Sequence, residues 1–472
     1  MKLSRFALTL ALIVATALGC AAFPIKVAGL DTLKTAIWIH DLTWGYDLVS
    51  RNIDRPLIPA SVTKSVTTGS LLSLASPDER FATDIEAVGH ITPDSTLRGN
   101  VVIHAVGDPT IESRHFASTR GFADSIASAL LSAGIRRIEG SVIVDEEAFT
   151  DATTPPGWMD EDLLWPYGAR LQGANFRDNS FTITLPSGDS SPYVPDINVS
   201  LTPARGGRKV VKGKGKRRRT VYVGGSRSSL SRADGSETFA VTMNPRGRRT
   251  EQVATPYPAK PMRHEVLATL RRRGVAVSDT VVATPGASGR VIHTHYSPRF
   301  SEILRSLMVR SDNLMAEGML RAILPGGTRA DAIGEEMNLW TLAGIPLHGV
   351  SLYDGSGLSR SDRLTARFLG EMGRHLVMSP LGAEYVRTFP RAGMDGTVRN
   401  FLAATPLRGR VVLKSGTMKG VKSYSGFLLN EEGKPTHLIV FMANDFRCSA
   451  AAVKSGLEKL LLDTFAPAKK PD

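Results

Sequence analysis

Three short polar motifs lie far apart in this 472-residue chain, and the need to bring them together limits the folds open to it. Ser61-Val62-Thr63-Lys64 reads S-x-x-K, Ser311-Asp312-Asn313 reads S-x-N, and Lys414-Ser415-Gly416-Thr417 reads K-S-G-T. The first opens a helical pattern over 61–74, directly after Pro59-Ala60, where a helix start is expected. Positions three apart on a helix share a face, so the Lys64 amine can reach the Ser61 hydroxyl. A serine hydroxyl attacks poorly until a base takes its proton. A lysine is such a base only when burial or neighbouring positive charge drives its pKa towards neutrality. The helix N-terminus and Lys414 would supply that positive field. Ser311 can then relay a proton to a leaving amine, and Asn313 can bond a substrate amide and orient Lys64. Lys414, with the Ser415 and Thr417 hydroxyls, can hold a carboxylate. The strand edge carrying Gly416 can pair with an extended peptide. Backbone N–H groups of Ser61 and Thr417 would form an oxyanion hole, worth about 3 kcal/mol of the barrier.

Each motif alone is weak, and the chain contains imitations. Ser50-Arg51-Asn52 also fits S-x-N, but it precedes the serine and falls at a strand end. Lys454-Ser455-Gly456 also fits K-S-G, but it sits inside the amphipathic helix expected over 449–465, where no strand edge can form. The specific signal is the order of the three motifs, each on its expected element.

Residues 35–40 and 46–50 read as a hairpin about a polar turn. Helical periodicity is expected over 261–273, over 301–323 as one stretch, and over 330–343; strands are expected at 411–413 and 438–443. Between about 85 and 270 short alternating runs dominate, such as 101–103, 141–144 and 181–185. The predicted organisation is a signal over 1–22, a discontinuous α+β catalytic domain over 23–85 and 271–466, and a mostly β insertion over 86–270.

The first 22 residues follow the layout of a secretory signal: Lys2 and Arg5, an apolar run from Phe6 to Leu18, then small residues around Cys20. Cys20 either leaves with the signal or becomes the acylated first residue of a lipoprotein, a peripheral anchor to the membrane. The other cysteine, Cys448, then has no disulfide partner, and a chain this long can fold without one. Net charge is +13, with nine Lys/Arg crowded into the loop 205–219 (RGGRKVVKGKGKRRR). Behind an export signal, nucleic acid is not the expected partner of that loop; the readings are attraction to anionic wall polymer or a membrane surface, or a solvated loop with no specific partner. No metal or other cofactor is expected: His293-Thr294-His295 lacks a third ligand, and His264-Glu265 lacks the second histidine of a zinc helix. No G-x-S-x-G occurs, which excludes an α/β-hydrolase elbow.

The ordered trio resembles that of the class C low-molecular-mass penicillin-binding proteins, the D-Ala-D-Ala carboxypeptidase/endopeptidases. Residues 59–64 (PASVTK), 107–110 (GDPT), 155–158 (PPGW), 354–360 (DGSGLSR), 392–397 (AGMDGT) and 414–420 (KSGTMKG) carry the resemblance, as does the long interval from Ser61 to Ser311. The resemblance implies a β-lactamase/transpeptidase-like domain, α+β, with an antiparallel sheet flanked by helices and large nested insertions. It also implies an acyl-enzyme on Ser61, peptidoglycan as substrate and β-lactams as covalent inhibitors. Ser415 stands where the family usually has threonine and keeps the hydroxyl. Arg360 and Lys419 could bind the carboxylate of a diaminopimelate side chain, with Asp145 and Phe149 of the insertion approaching it. The alternatives are a β-lactamase or esterase on the same scaffold, or a wall-binding protein without activity. Oligomeric state is not legible.

Overall fold

A computed structural model describes residues 23–205, 208–212, 218–223, 228–284, 286 and 289–466. The signal with Cys20, and much of the basic loop 205–219, lie outside the described residues.

The chain begins with the hairpin β1 (Thr35–Asp41) and β2 (Asp47–Arg51), followed by helix α1 (Thr63–Leu74). It then departs through β3 (Ala82–Ile91), β4 (Thr96–His104), α2 (Phe122–Ser132), β5 (Arg137–Ile138) and β6 (Val142–Asp145). A second stretch of short strands follows: β7 (Ser180–Leu185), β8 (Ser190–Ser191), β9 (Asn198–Pro203), β10 (Arg208–Lys212), β11 (Arg219–Val223), β12 (Ser229–Ser231), β13 (Thr238–Met243) and β14 (Arg249–Ala254). The return passes through α3 (Ala259–Arg272), β15 (Ala276–Val277) and β16 (Gly289–Tyr296). Helices α4 (Phe300–Arg310), α5 (Asn313–Ile323), α6 (Arg329–Leu342), α7 (Ala366–Val377) and α8 (Gly382–Thr388) come next. The chain closes with β17 (Val411–Met418), β18 (Val421–Leu429), β19 (Pro435–Asn444) and α9 (Ala450–Phe465).

One sheet joins both ends of the chain in the order β17-β18-β19-β1-β2, with every pair antiparallel. Strand alternation sends successive side chains to opposite faces. Ala36, Trp38, Leu438, Val440 and Met442 therefore pack with α1, α4 and α7, whereas Ile37, Ile39, Ile439, Phe441 and Ala443 pack against Val453, Leu457 and Leu461 of α9. Burial on both faces explains why β19 reads as an unbroken apolar run.

The insertion has two cores of its own. One packs α2 and α3 on the sheet that holds β3, β4 and β16. The other lies between the small sheets of β7, β9, β13 and β14. Three details differ from the reading by pattern. Residues 122–132 form a helix within a region expected to be mostly strand. Gly289–Tyr296, expected on the catalytic side of the boundary at 270, pairs with Ala82–Ile91 in the insertion's sheet. Strand pairing across about 200 residues leaves no local signal. The expected single helix over 301–323 is also two helices. Ser311 adopts a left-handed conformation (φ 61°), and the Asp312 carboxylate accepts from Met315 N at 2.9 Å to start α5. An aspartate that caps a new helix competes with continuation of the old one.

Candidate active site

The loop before α1 is pinned to the sheet. Asn444 bonds both Ile58 N (2.8 Å) and Ile58 O (3.1 Å), and Ser423 Oγ donates to Pro59 O. Ala60 is left-handed (φ 50°), and Ala60–Val62 makes a tight turn that delivers Ser61 to the edge of β17. A side chain at Gly416 would come within 2.9 Å of Ser61 N and 2.8 Å of Pro59 O, so glycine is what permits the strand to lie this close.

One turn into α1, the Lys64 side chain is fully buried. Its Nζ lies 3.2 Å from Ser61 Oγ, 2.5 Å from Asn313 Oδ1 and 2.6 Å from Ser356 O. Burial pushes the Lys64 ammonium down to about 8, against the opposing pull of Asp354, Glu317, Asp312 and Asp362. Lys414 Nζ donates to Ser311 Oγ at 2.8 Å and to Ser415 O at 2.8 Å. Its ammonium is held well below the ordinary lysine range by burial, and then by the charges of Lys64 and Lys422. Ser415 Oγ is 2.7 Å from Thr397 Oγ1. Thr417 is exposed, and its Oγ1 accepts from Lys422 Nζ at 2.6 Å.

Ser61, Lys64, Ser311, Asn313, Lys414, Ser415, Gly416 and Thr417 thus converge from a helix start, a helix junction and a strand edge. Four outlying residues do not share that cluster uniformly. Lys419 is exposed in the turn between β17 and β18. Arg360 ends the 354–360 segment, its N–H bonded to Gly157 O at 3.2 Å. Asp145 is engaged within the insertion: His104 bridges it (3.1 Å) to Glu86 (2.9 Å). The Phe149 ring lies 4.1 Å from the guanidinium carbon of Arg321, in a crevice with Glu79, Phe81 and Phe300. Arg321 sits eight residues past Asn313 on α5, about 12 Å of helix rise away. Arg321 is buried and paired with Asp151 (2.7 Å), so a ring against its free face is the favoured packing.

Residues with no signal by spacing complete the site. Asp354 is fully buried and accepts from Gly357 N (2.6 Å), Ser359 N (2.7 Å), Ser356 Oγ (3.2 Å) and Trp158 Nε1 (2.7 Å). These bonds shape the turn that offers Ser356 O to Lys64. Beneath it, Glu317 accepts from Gly355 N at 3.1 Å, and burial, helped by Asp354, pushes its carboxyl up to about 7. Thr397 and Lys422 join from the AGMDGT segment and from β18. Among the described residues, no group of His, Cys, Asp and Glu is arranged to hold a metal ion.

An antiparallel sheet flanked by helices, with a serine, a buried lysine and a second lysine on the edge strand, defines a serine acyl-transfer hydrolase of the β-lactamase/transpeptidase-like fold. The comparisons make this specific. Residues 25–461 match the model of the D-Ala-D-Ala carboxypeptidase 3 (S13) family, and the chain belongs to that family. It is accordingly a serine-type D-Ala-D-Ala carboxypeptidase. Among its relatives, D-alanyl-D-alanine carboxypeptidase DacB of Haemophilus influenzae is 26% identical over 404 residues, covering 80% of this chain and 79% of that protein. D-alanyl-D-alanine carboxypeptidase of Actinomadura sp. is 26% identical over 435 residues, covering 87% and 78%. The fold is similar to the crystal structure of penicillin binding protein 4 (dacB) from Haemophilus influenzae, with a TM-score of 0.77 at 20% identity, covering 93% of this chain and 97% of that one.

Proposed function

We propose that this enzyme cleaves the terminal D-Ala-D-Ala bond of peptidoglycan stem peptides, and the matching bond in cross-links, through an acyl-enzyme on Ser61. The observation that carries the reading is the Lys64 amine, enclosed and 3.2 Å from Ser61 Oγ, with burial easing loss of its proton. Neutral Lys64 takes the Ser61 proton as Oγ bonds to the carbonyl carbon. The Ser61 and Thr417 N–H groups stabilise the oxyanion. Ser311, bonded to Lys414, passes a proton to the leaving amine, the C–N bond breaks and D-alanine departs. Water then attacks the ester and releases Ser61. Lys414, Ser415 and Thr417 hold the substrate's terminal carboxylate, and Gly416 keeps the strand edge open to the peptide backbone. Arg360 and Lys419, and Asp145 more remotely, contribute to side-chain recognition.

A β-lactam, which presents a strained amide beside a carboxylate, acylates the same serine. The relative of known structure was also crystallised in complex with a β-lactam. The signal-like first 22 residues support export to the periplasm, with Cys20 as the residue that lipidation would use, and the 205–219 loop supports attraction to anionic polymer or membrane. Among the described residues, no helix is long and apolar enough to cross a membrane.

The test is labelling by fluorescent penicillin: native protein becomes covalently labelled and Ser61→Ala does not. A labelled Ser61→Ala would refute the assignment of the nucleophile. Mass spectrometry of treated sacculi then separates the two activities, since shortened stems report carboxypeptidase and severed cross-links report endopeptidase.

A further inference from the structure

The segment 155–168 lies far from every motif in sequence, yet four of its groups bond into the catalytic centre. Trp158 Nε1 donates to Asp354 Oδ2 at 2.7 Å, and Ser359 Oγ donates to Pro156 O at 2.7 Å. Arg360 N donates to Gly157 O at 3.2 Å, and Asn313 Nδ2 donates to Tyr167 O at 2.6 Å. Lys64 has two close acceptors apart from Ser61, namely Asn313 Oδ1 and Ser356 O. Both are held by this segment, the first through Tyr167 O and the second through Asp354.

We propose that the 155–168 segment is a working half of the catalytic centre, with Trp158 as a positioning residue that holds the Lys64 amine against Ser61 through Asp354 and the Ser356 carbonyl. This rests on the reading of Lys64 as the base for Ser61. The chemistry favours a specific role for the indole. Asp354 is fully buried, and Trp158 is only 7% exposed. A buried carboxylate needs its donors, and the indole N–H is a donor with no competing acceptor function. Of the four donors on Asp354, three come from the turn itself, at Ser356, Gly357 and Ser359. Of those donors, Trp158 is the one that reaches Asp354 from outside the turn.

The consequence reaches the charge of Lys64. Asp312 and Glu317 face it from α5, Asp354 and Asp362 from the turn, and Lys414 from β17. These groups keep their charges when the indole N–H is removed; what changes is how tightly the turn, with Asp354 on it, closes over the amine. A looser turn admits water, weakens the burial that lowers the amine's proton affinity, and lets Ser356 O drift from it.

The experiment uses the full chain with Trp158→Phe, which keeps a ring in the pocket and deletes only the donor. Acylation by fluorescent penicillin is followed in time from pH 6 to 10, alongside melting temperature. The expected result is acylation between about tenfold and a hundredfold slower at pH 7, as for a small misplacement of a reacting group. The pH at which the rate levels off should also move up by about half a unit or more. A purely structural role would lower the melting temperature and leave that pH where it is. Ser359→Ala cuts the neighbouring tie to Pro156 O and is measured in the same way, so a Trp158→Phe that fails to fold leaves the test intact. Rates within about twofold of native in both variants, with an unmoved levelling pH, would overturn the proposal. That outcome differs from failure of the underlying reading, which would show as a labelled Ser61→Ala.

Discussion

The rate of penicillin acylation should rise with pH and level off near 8. The perturbation is pH itself, and the magnitude follows from the surroundings of Lys64. With its proton affinity lowered from 10.5 to about 8, the amine is neutral in roughly one molecule in eleven at pH 7, against about one in 3,000 for an ordinary lysine. The ratio is about 300-fold, or about 3 kcal/mol of barrier, placed by burial where the reaction uses it. Lys422 is also pushed down to about 8, by burial and then by Lys454, so it must be distinguished from Lys64. Stopped-flow measurement of fluorescent penicillin acylation, native against Lys422→Gln, does so: the levelling pH should survive in the variant. A rate that is flat from pH 6 to 10, or still climbing at 10, would refute the reasoning. Stability carries the same signature. Because the folded value lies below the unfolded one, the unfolded chain holds more protons between about 8 and 10.5, and stability rises with pH across that window. Below about 8 the cost of burying the amine remains in full. Native protein should therefore gain about 3 kcal/mol more than Lys64→Met between those limits in denaturant titrations.

Two further outcomes are expected. Gly416→Ala should abolish penicillin labelling and destabilise the fold by about 1–3 kcal/mol, because the added carbon meets backbone at Ser61 and Pro59 as well as the Ser423 hydroxyl, which is itself bonded to Pro59 O; labelling at the native rate would count against the close approach of β17. Arg360→Ala and Lys419→Ala should raise KM for a stem peptide bearing diaminopimelate more than for one bearing lysine, read by D-alanine release. Equal effects on the two peptides would remove both residues from side-chain recognition.

The motifs and the elements that carry them were legible because their signals are local. Period and turn chemistry placed β1, β2, α1, α9 and parts of β17 and β19, though not β18 between them, and the lysine three residues after Ser61 required only helix geometry. The signal weakened where structure depends on distant pairing. Gly289–Tyr296 finds its place only when Ala82–Ile91 is set beside it. The helical pattern over 301–323 concealed a break, because Ser311 and Asp312 are compatible with a helix and it is the capping bond to Met315 N that ends one helix and begins the next. The packing of Phe149 was equally hidden, since it depends on Arg321, a buried and paired residue 172 positions later.

Which groups can react, and in what order along the chain, is written in covalent identity: a hydroxyl at 61, an amine at 64, a second amine at 414. How they react is not written there. The amine of Lys64 owes its low proton affinity to enclosure among groups such as Asn313 and Ser356, which outweighs the opposing pull of Asp354, Glu317, Asp312 and Asp362; all of these lie at least 248 residues later in the chain. Burial and field are sums over neighbours in space, and folding alone makes Asn313, Ser356 and Asp354 neighbours of that nitrogen.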